Sequence, residues 1–191
     1  MAPARISLRF GTPHHGWLDV ALVHRDEQSG RLDTHAIDVS DVPCDSLAQL
    51  ADAACSLLEG RDEARVDWSL EPAFDVWLFR LTEPDCVELR IGTESSREAP
   101  KLFAVSSASE LATAFWRGMR RLESDPIWHD TRALEAWSSA FPTEKLAALG
   151  HKLERRSGFR TQDFAGLASL ARSDDDGYDP WKSPTGGSRI R

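Results

Sequence analysis

Apolar residues recur along this chain with two different periods, and the change from one to the other divides it. Between positions 5 and 105 the dominant period is two residues, the spacing at which side chains of an extended strand share a face. Ile6, Leu8 and Phe10 alternate first; Leu18, Val20 and Leu22 follow within residues 17–24, and Ile37 and Val39 within residues 32–39. The Gly- and Pro-containing stretch 11–16 and the polar stretch 26–31 separate these runs, and such short connections predict an antiparallel meander. One interruption has the helical period. Across residues 45–59, Leu47, Leu50, Ala51, Ala54, Leu57 and Leu58 form one stripe, with Asp45 or Ser46 as N-cap and Gly60 to close the C-terminus.

The stretch 65–91 holds three further strand-like runs: Val66, Trp68 and Leu70; Phe74, Val76 and Leu78; Val87, Leu89 and Ile91. Glu71-Pro72 and Glu83-Pro84 punctuate them, because proline removes a ladder donor and favours a turn. In the middle run Trp77, Phe79 and Leu81 make the second face apolar as well, which predicts an inner strand buried on both sides, with Trp68 and Trp77 in the core. A polar loop at 93–100 and a last strand at 101–105 complete this part. The helical period then takes over. Ser107 and Glu110 have capping-box spacing ahead of Leu111, Phe115, Met119 and Leu122, and Asp125-Pro126 stops that helix. A shorter helix is expected over 130–140 with Leu134, Trp137 and Phe141, another after Thr143 with Leu146, Leu149 and Leu153, and a last one after Thr161 with Phe164, Leu167 and Leu170. Strands first and helices afterwards predict an α+β fold: an antiparallel meander with one inserted helix, packed against a C-terminal layer of about four helices. Residues 1–172 read as a single domain. The Asp/Gly/Pro/Ser-rich tail 173–191 has no apolar period to offset its ordering entropy, and is expected to be disordered.

Charge narrows the range of partners. The net charge is −8, and residues 1–100 carry 19 acidic against 9 basic side chains. An acid-rich half repels phosphate, which argues against nucleic acid as a partner, whereas a basic protein would be attracted. No run of about 18 apolar residues is present, and the N-terminal stretch has no apolar signal core, so neither a membrane span nor secretion is expected. Three widely spaced cysteines, Cys44, Cys55 and Cys86, form no C-x-x-C pair and read as small hydrophobes in a cytoplasmic protein.

Motifs for catalysis or cofactor binding are missing: there is no G-x-G-x-x-G, Walker A loop, G-x-S-x-G elbow or H-E-x-x-H. The chain is therefore expected to need no cofactor and to be no enzyme. His14 and His15 are adjacent in a turn, where they point in different directions, and the basic run Lys152, Arg155, Arg156 and Arg160 suits a helix end. One metal-binding alternative remains. If Leu22 opposes His35 in the first hairpins, His24 opposes Asp33 on the same face, and His24, Asp33 and His35 gather at one end of the sheet. That arrangement would belong to a small metal-assisted hydrolase or nucleotide-processing enzyme.

A second set of residues points to binding. Asp67, Glu71, Asp75 and Asp85 flank the central strands and turns, while Trp116 lies off its helix stripe and Trp128 follows a helix-stopping proline. Both tryptophans read as exposed anchors of a protein interface. The segments Gly16-Trp17-Leu18-Asp19-Val20, Val66-Asp67-Trp68-x-x-Glu71-Pro72, Trp77, and Trp137-x-x-x-Phe141-Pro142 together resemble a group of small, uncharacterised bacterial α+β proteins. Some of that group are similar to immunity proteins of polymorphic toxin systems. The resemblance spans residues 16–153 and carries over no catalytic residue. It implies a cytoplasmic immunity- or inhibitor-type protein that neutralises a basic partner through an acidic face. A structural adaptor of a secretion or defence assembly is the third expectation.

Overall fold

The structure, a computed structural model, describes residues 5–26, 29–94, 96, 98–130 and 136–157. Seven antiparallel strands follow one another in sequence order across a single sheet: β1 (Arg5–Phe10), β2 (Trp17–Arg25), β3 (Leu32–Ser40), β4 (Glu63–Ser69), β5 (Phe74–Glu83), β6 (Cys86–Thr93) and β7 (Lys101–Ser106). Helix α1 (Ser46–Leu58) lies between β3 and β4, and α2 (Ala108–Glu123) follows β7. A 3-10 helix (Pro126–His129) then leads towards α3 (Thr143–Ser157). The α+β class and the meander with one inserted helix agree with the apolar pattern. The C-terminal layer is smaller than expected among the described residues, where α2 and α3 form it together with α1. Ala136–Ala140 is not a continuous helix, residues 131–135 of the helix expected at 130–140 lie outside the described residues, and the helix after Thr161 and the tail 173–191 lie outside them entirely.

Local chemistry sets the helix boundaries. Asp45 accepts the Ala48 N–H at 3.0 Å and caps α1. Ser107 accepts the Glu110 N–H at 3.1 Å while the Glu110 carboxylate reaches back to the Ser107 N–H, so the capping box forms as its spacing predicts. Gly118, in the middle of α2, allows a close approach to β1: a Cβ there would lie 2.8 Å from the Leu8 carbonyl oxygen.

The sheet has a seam. β2 and β3 pair along nine residues, whereas β3 and β4 meet only at Ser40 and Ser69. The meander therefore splits into two half-sheets, β1–β3 and β4–β7, and their apolar faces are turned towards one core. Leu18, Val20 and Leu22 with Ile37 and Val39 come from the first half; Val66, Trp68, Trp77, Phe79, Val87 and Leu89 come from the second. α2 packs on β1 and both other helices, and α1 packs on β4. On β5 the faces are unequal: Trp77 and Phe79 are fully buried, while Phe74 and Leu78 on the opposite face are half-buried. The inner-strand expectation holds for pairing, but the second face, where Val76 is buried and Phe74 and Leu78 are not, is only partly covered among the described residues.

Candidate protein-interaction site

The site grows from a junction of turns. Gly16 sits at φ +79°, and its N–H donates to the Ala136 carbonyl at 2.9 Å, while its own carbonyl accepts the Asp41 N–H at 3.0 Å. A Cβ on Gly16 would meet an Asp41 carboxylate oxygen at 3.2 Å, so glycine serves both the backbone conformation and the close contact. The Asp41 carboxylate is buried and accepts the Ser138 N–H. One residue earlier, the Ser40 hydroxyl donates to the Glu71 carboxylate. From the other side, the Thr12 hydroxyl donates to Asp125 at 3.0 Å, and Asp125 accepts the Ile127 N–H at 3.0 Å to start the 3-10 helix. These bonds tie Glu71, the turn at 11–16 and the segment 136–138 to the end of α2.

Between α2, the 3-10 helix and the start of α3 they leave an open groove of about 610 Å³. Trp128 and Phe141 form its aromatic wall, edge to face with ring centroids 5.1 Å apart, and the buried Trp137 also lines it. Arg120, ion-paired to Glu123, and His129 stand on its polar side. The indole N–H of Trp128 is out of contact with water and meets no acceptor among the described residues. Buried donors are normally satisfied. The groove is open, with an apolar aromatic wall and polar residues opposite.

The residues singled out from sequence separate into different environments. Trp128 and Glu71 come to this junction. Asp67 lies on the outer face of β4, bonded to Arg65 at 2.6 Å. Asp85 sits in the β5–β6 turn beside Arg156 at 3.4 Å, at the other end of β5 from Glu71. Asp75 faces the core instead of a partner. It is 3% exposed and accepts the Trp77 indole N–H at 2.8 Å and pairs with His35 at 2.7 Å. Its position follows from strand alternation, which puts residue 75 on the same face as 77 and 79. Trp116 is 4% exposed and part of the core, so it is no exposed anchor. A helix covered by the sheet on one side and two helices on others buries a wider arc than a single stripe. Phe141 and Trp137, expected on a helix face, instead line the groove, and Asp41 carries no signal in the sequence. Three aromatics between Pro126 and Pro142 were the available signal.

The first hairpins have the register that the metal alternative requires, with Leu22 opposite His35 and His24 opposite Asp33. The three side chains nevertheless part. Asp33 takes the Arg31 guanidinium at 2.7 Å and His35 crosses the seam to Asp75. His24 packs against Phe103, and neither of its ring nitrogens has a hydrogen-bond partner among the described residues. No group of three His, Cys, Asp or Glu side chains among the described residues could hold a metal ion. Two basic residues of α3 bridge to the end of α1: Lys152 bonds Glu59, and Arg156 bonds the Leu58 carbonyl, while Arg155 is exposed. Burial pushes the Cys55 thiol above its ordinary value, which keeps it protonated near neutral pH.

The chain is an antiparallel α+β fold with an aromatic surface groove. No family model matches it, and no curated protein or solved structure matches it either. No helix among the described residues is long and apolar enough to cross a membrane.

Proposed function

We propose that this protein is a cytoplasmic binding protein of the immunity or inhibitor type, which neutralises a basic protein partner by covering it with the face that carries the groove. The observation that supports this reading most is the Trp128–Phe141 wall on an open groove, next to a junction where Asp41 accepts the Ser138 N–H and Ser40 bonds the exposed Glu71. Half-buried aromatics surrounded by polar groups are the usual centre of a protein interface. The net charge of −8 supplies long-range attraction to a basic partner. Asp67 and Asp85 contribute to that field although each also has a basic neighbour. Asp75 and Trp116 act beneath the surface, as supports of the fold.

Affinity capture with the intact chain, followed by binding kinetics on the captured protein, tests the proposal. Raising salt from about 0.05 to about 0.5 M shortens the Debye length from roughly 14 to 4 Å and slows association severalfold. An acidic partner, or association indifferent to salt, contradicts the reading.

A further inference from the structure

Away from the groove, the outer side of β4–β7 presents two rows of cross-strand neighbours. Glu63, Arg80, Glu88 and Val105 form one row; Arg65, Leu78, Arg90 and Leu102 form the next. Strand alternation turns both rows away from the core, which Trp77 and Phe79 face from β5. Leu78 is half-buried and Leu102 is 50% exposed. Each of the three arginines has a carboxylate on the same face: Arg65 meets Asp67 at 2.6 Å, Arg90 meets Glu88 at 3.0 Å and Arg80 lies 3.9 Å from Glu63. With Glu94 at the margin, 3.7 Å from Arg65, the face stays close to neutral in a chain whose net charge is −8.

We infer that two copies of the chain associate through this face, about a two-fold axis that runs along the strands between β5 and β6. The inference is independent of the binding reading and uses a different surface. Two molecules of net charge −8 repel each other unless they meet where that charge is balanced, and on this face positive and negative residues alternate. About the stated axis β5 of one copy lies over β6 of the other, so Arg80 faces Glu88 of the partner subunit and the same contact recurs by symmetry. Leu78 then lies beneath the stem of the partner subunit's Arg90, and Leu102 beneath that of the partner subunit's Arg65, where aliphatic carbons cover apolar surface. An axis turned to run along the second row instead sets Glu63 against Asp67 of the partner subunit, a like-charge contact that costs affinity. Four strands about 4.8 Å apart and about six residues long give a patch of roughly 20 Å by 20 Å. That is at the low end for a specific interface, so the dimer is concentration-dependent.

Sedimentation of the full chain between about 5 and 500 μM, the range of a weak interface, reads the association. The parent is expected to pass from monomer to dimer across that range. Arg80→Glu and Glu88→Arg are each expected to weaken self-association about tenfold or more, since each sets like charges across the axis twice. Both changes lie on the outer side of the sheet, and unchanged far-ultraviolet circular dichroism checks that the variants fold. The decisive sample is an equal mixture of the two variants. Every altered contact about the axis then joins opposite charges again, so the mixture is expected to dimerise near the parent's strength although neither variant does so alone. Loss of an ion pair within one chain would not be repaired by mixing. A parent that stays monomeric throughout overturns the inference and leaves the face to a different protein. Variants that associate like the parent, or a mixture no stronger than its components, overturn it as well.

Discussion

Replacing Asp75 with alanine separates two accounts of the same carboxylate. As one of several surface acids its loss would change stability by no more than about 0.5 kcal/mol. In the structure it is 3% exposed and holds both the Trp77 indole at 2.8 Å and the His35 ring at 2.7 Å, joining β5 to β3 across the seam. Asp75→Ala leaves a buried indole N–H and a part-buried imidazole without their acceptor. Removing one partner of such a buried charged network costs about 3–5 kcal/mol. Asp75→Asn keeps one acceptor oxygen for the two donors and should cost about 1–3 kcal/mol, the range for an imperfectly satisfied buried group. For a chain of this size the alanine variant should melt about 6–20 °C below the parent. Urea denaturation at pH 7, followed by tryptophan fluorescence and far-ultraviolet circular dichroism, gives both values. If Asp75→Ala falls within about 1 kcal/mol of the parent, or Asp75→Asn proves as harmful as alanine, the buried cross-seam role of the carboxylate is wrong.

Trp77→Ala should cost about 3–5 kcal/mol by the same assay, since the ring is fully buried against Trp68 and Phe115; a loss below about 1 kcal/mol would remove it from the core. Gly118→Ala should destabilise by about 1–2 kcal/mol. The new Cβ meets the Leu8 carbonyl oxygen at 2.8 Å, which outweighs the roughly 1 kcal/mol that alanine gains in a helix interior, and a stabilised variant would contradict the α2–β1 contact. The Glu59 carboxyl is held below its ordinary value by the hydrogen bond from Lys152 and by that residue's charge. A lowered carboxyl value means that the contribution to stability is present above the unfolded value near 4.5 and is lost as pH falls through the folded one. Carbon-detected titration should find Glu59 depressed in the parent and ordinary in Lys152→Ala; no difference between them would dissociate α3 from α1 at this contact.

Much of the fold was legible because its elements carry unmixed signals. Ser107 and Glu110 announce α2, and the alternation of Leu18, Val20 and Leu22 against Ile37 and Val39 gives the register of β2 and β3. Two features were hidden. The seam at Ser40–Ser69 brings residues 40 positions apart into contact, so the destination of Asp75 depends on His35, which no local pattern reveals. Trp116 was misplaced because a stripe argument assumes one buried side, while α2 has several. At the site, Trp128 could be picked out by its position after Pro126, but its neighbours could not. Phe141 reaches it from beyond Trp137, and Glu71 joins the junction only through Ser40 and Asp41.

In the proposed complex the groove provides the desolvated centre of a protein interface, while the net negative charge, with Glu71 nearby, provides attraction. The most direct measurement is the pair of rate constants for the captured partner, taken with the parent, Glu71→Gln and Ala140→Phe. Short-range packing governs dissociation, and charge governs encounter. Ala140→Phe, which adds a ring to the groove lining, should accelerate dissociation about tenfold or more with association little changed, and Glu71→Gln should slow association while dissociation stays near the parent value. Unaltered dissociation in Ala140→Phe would place the interface elsewhere on the molecule and contradict the account.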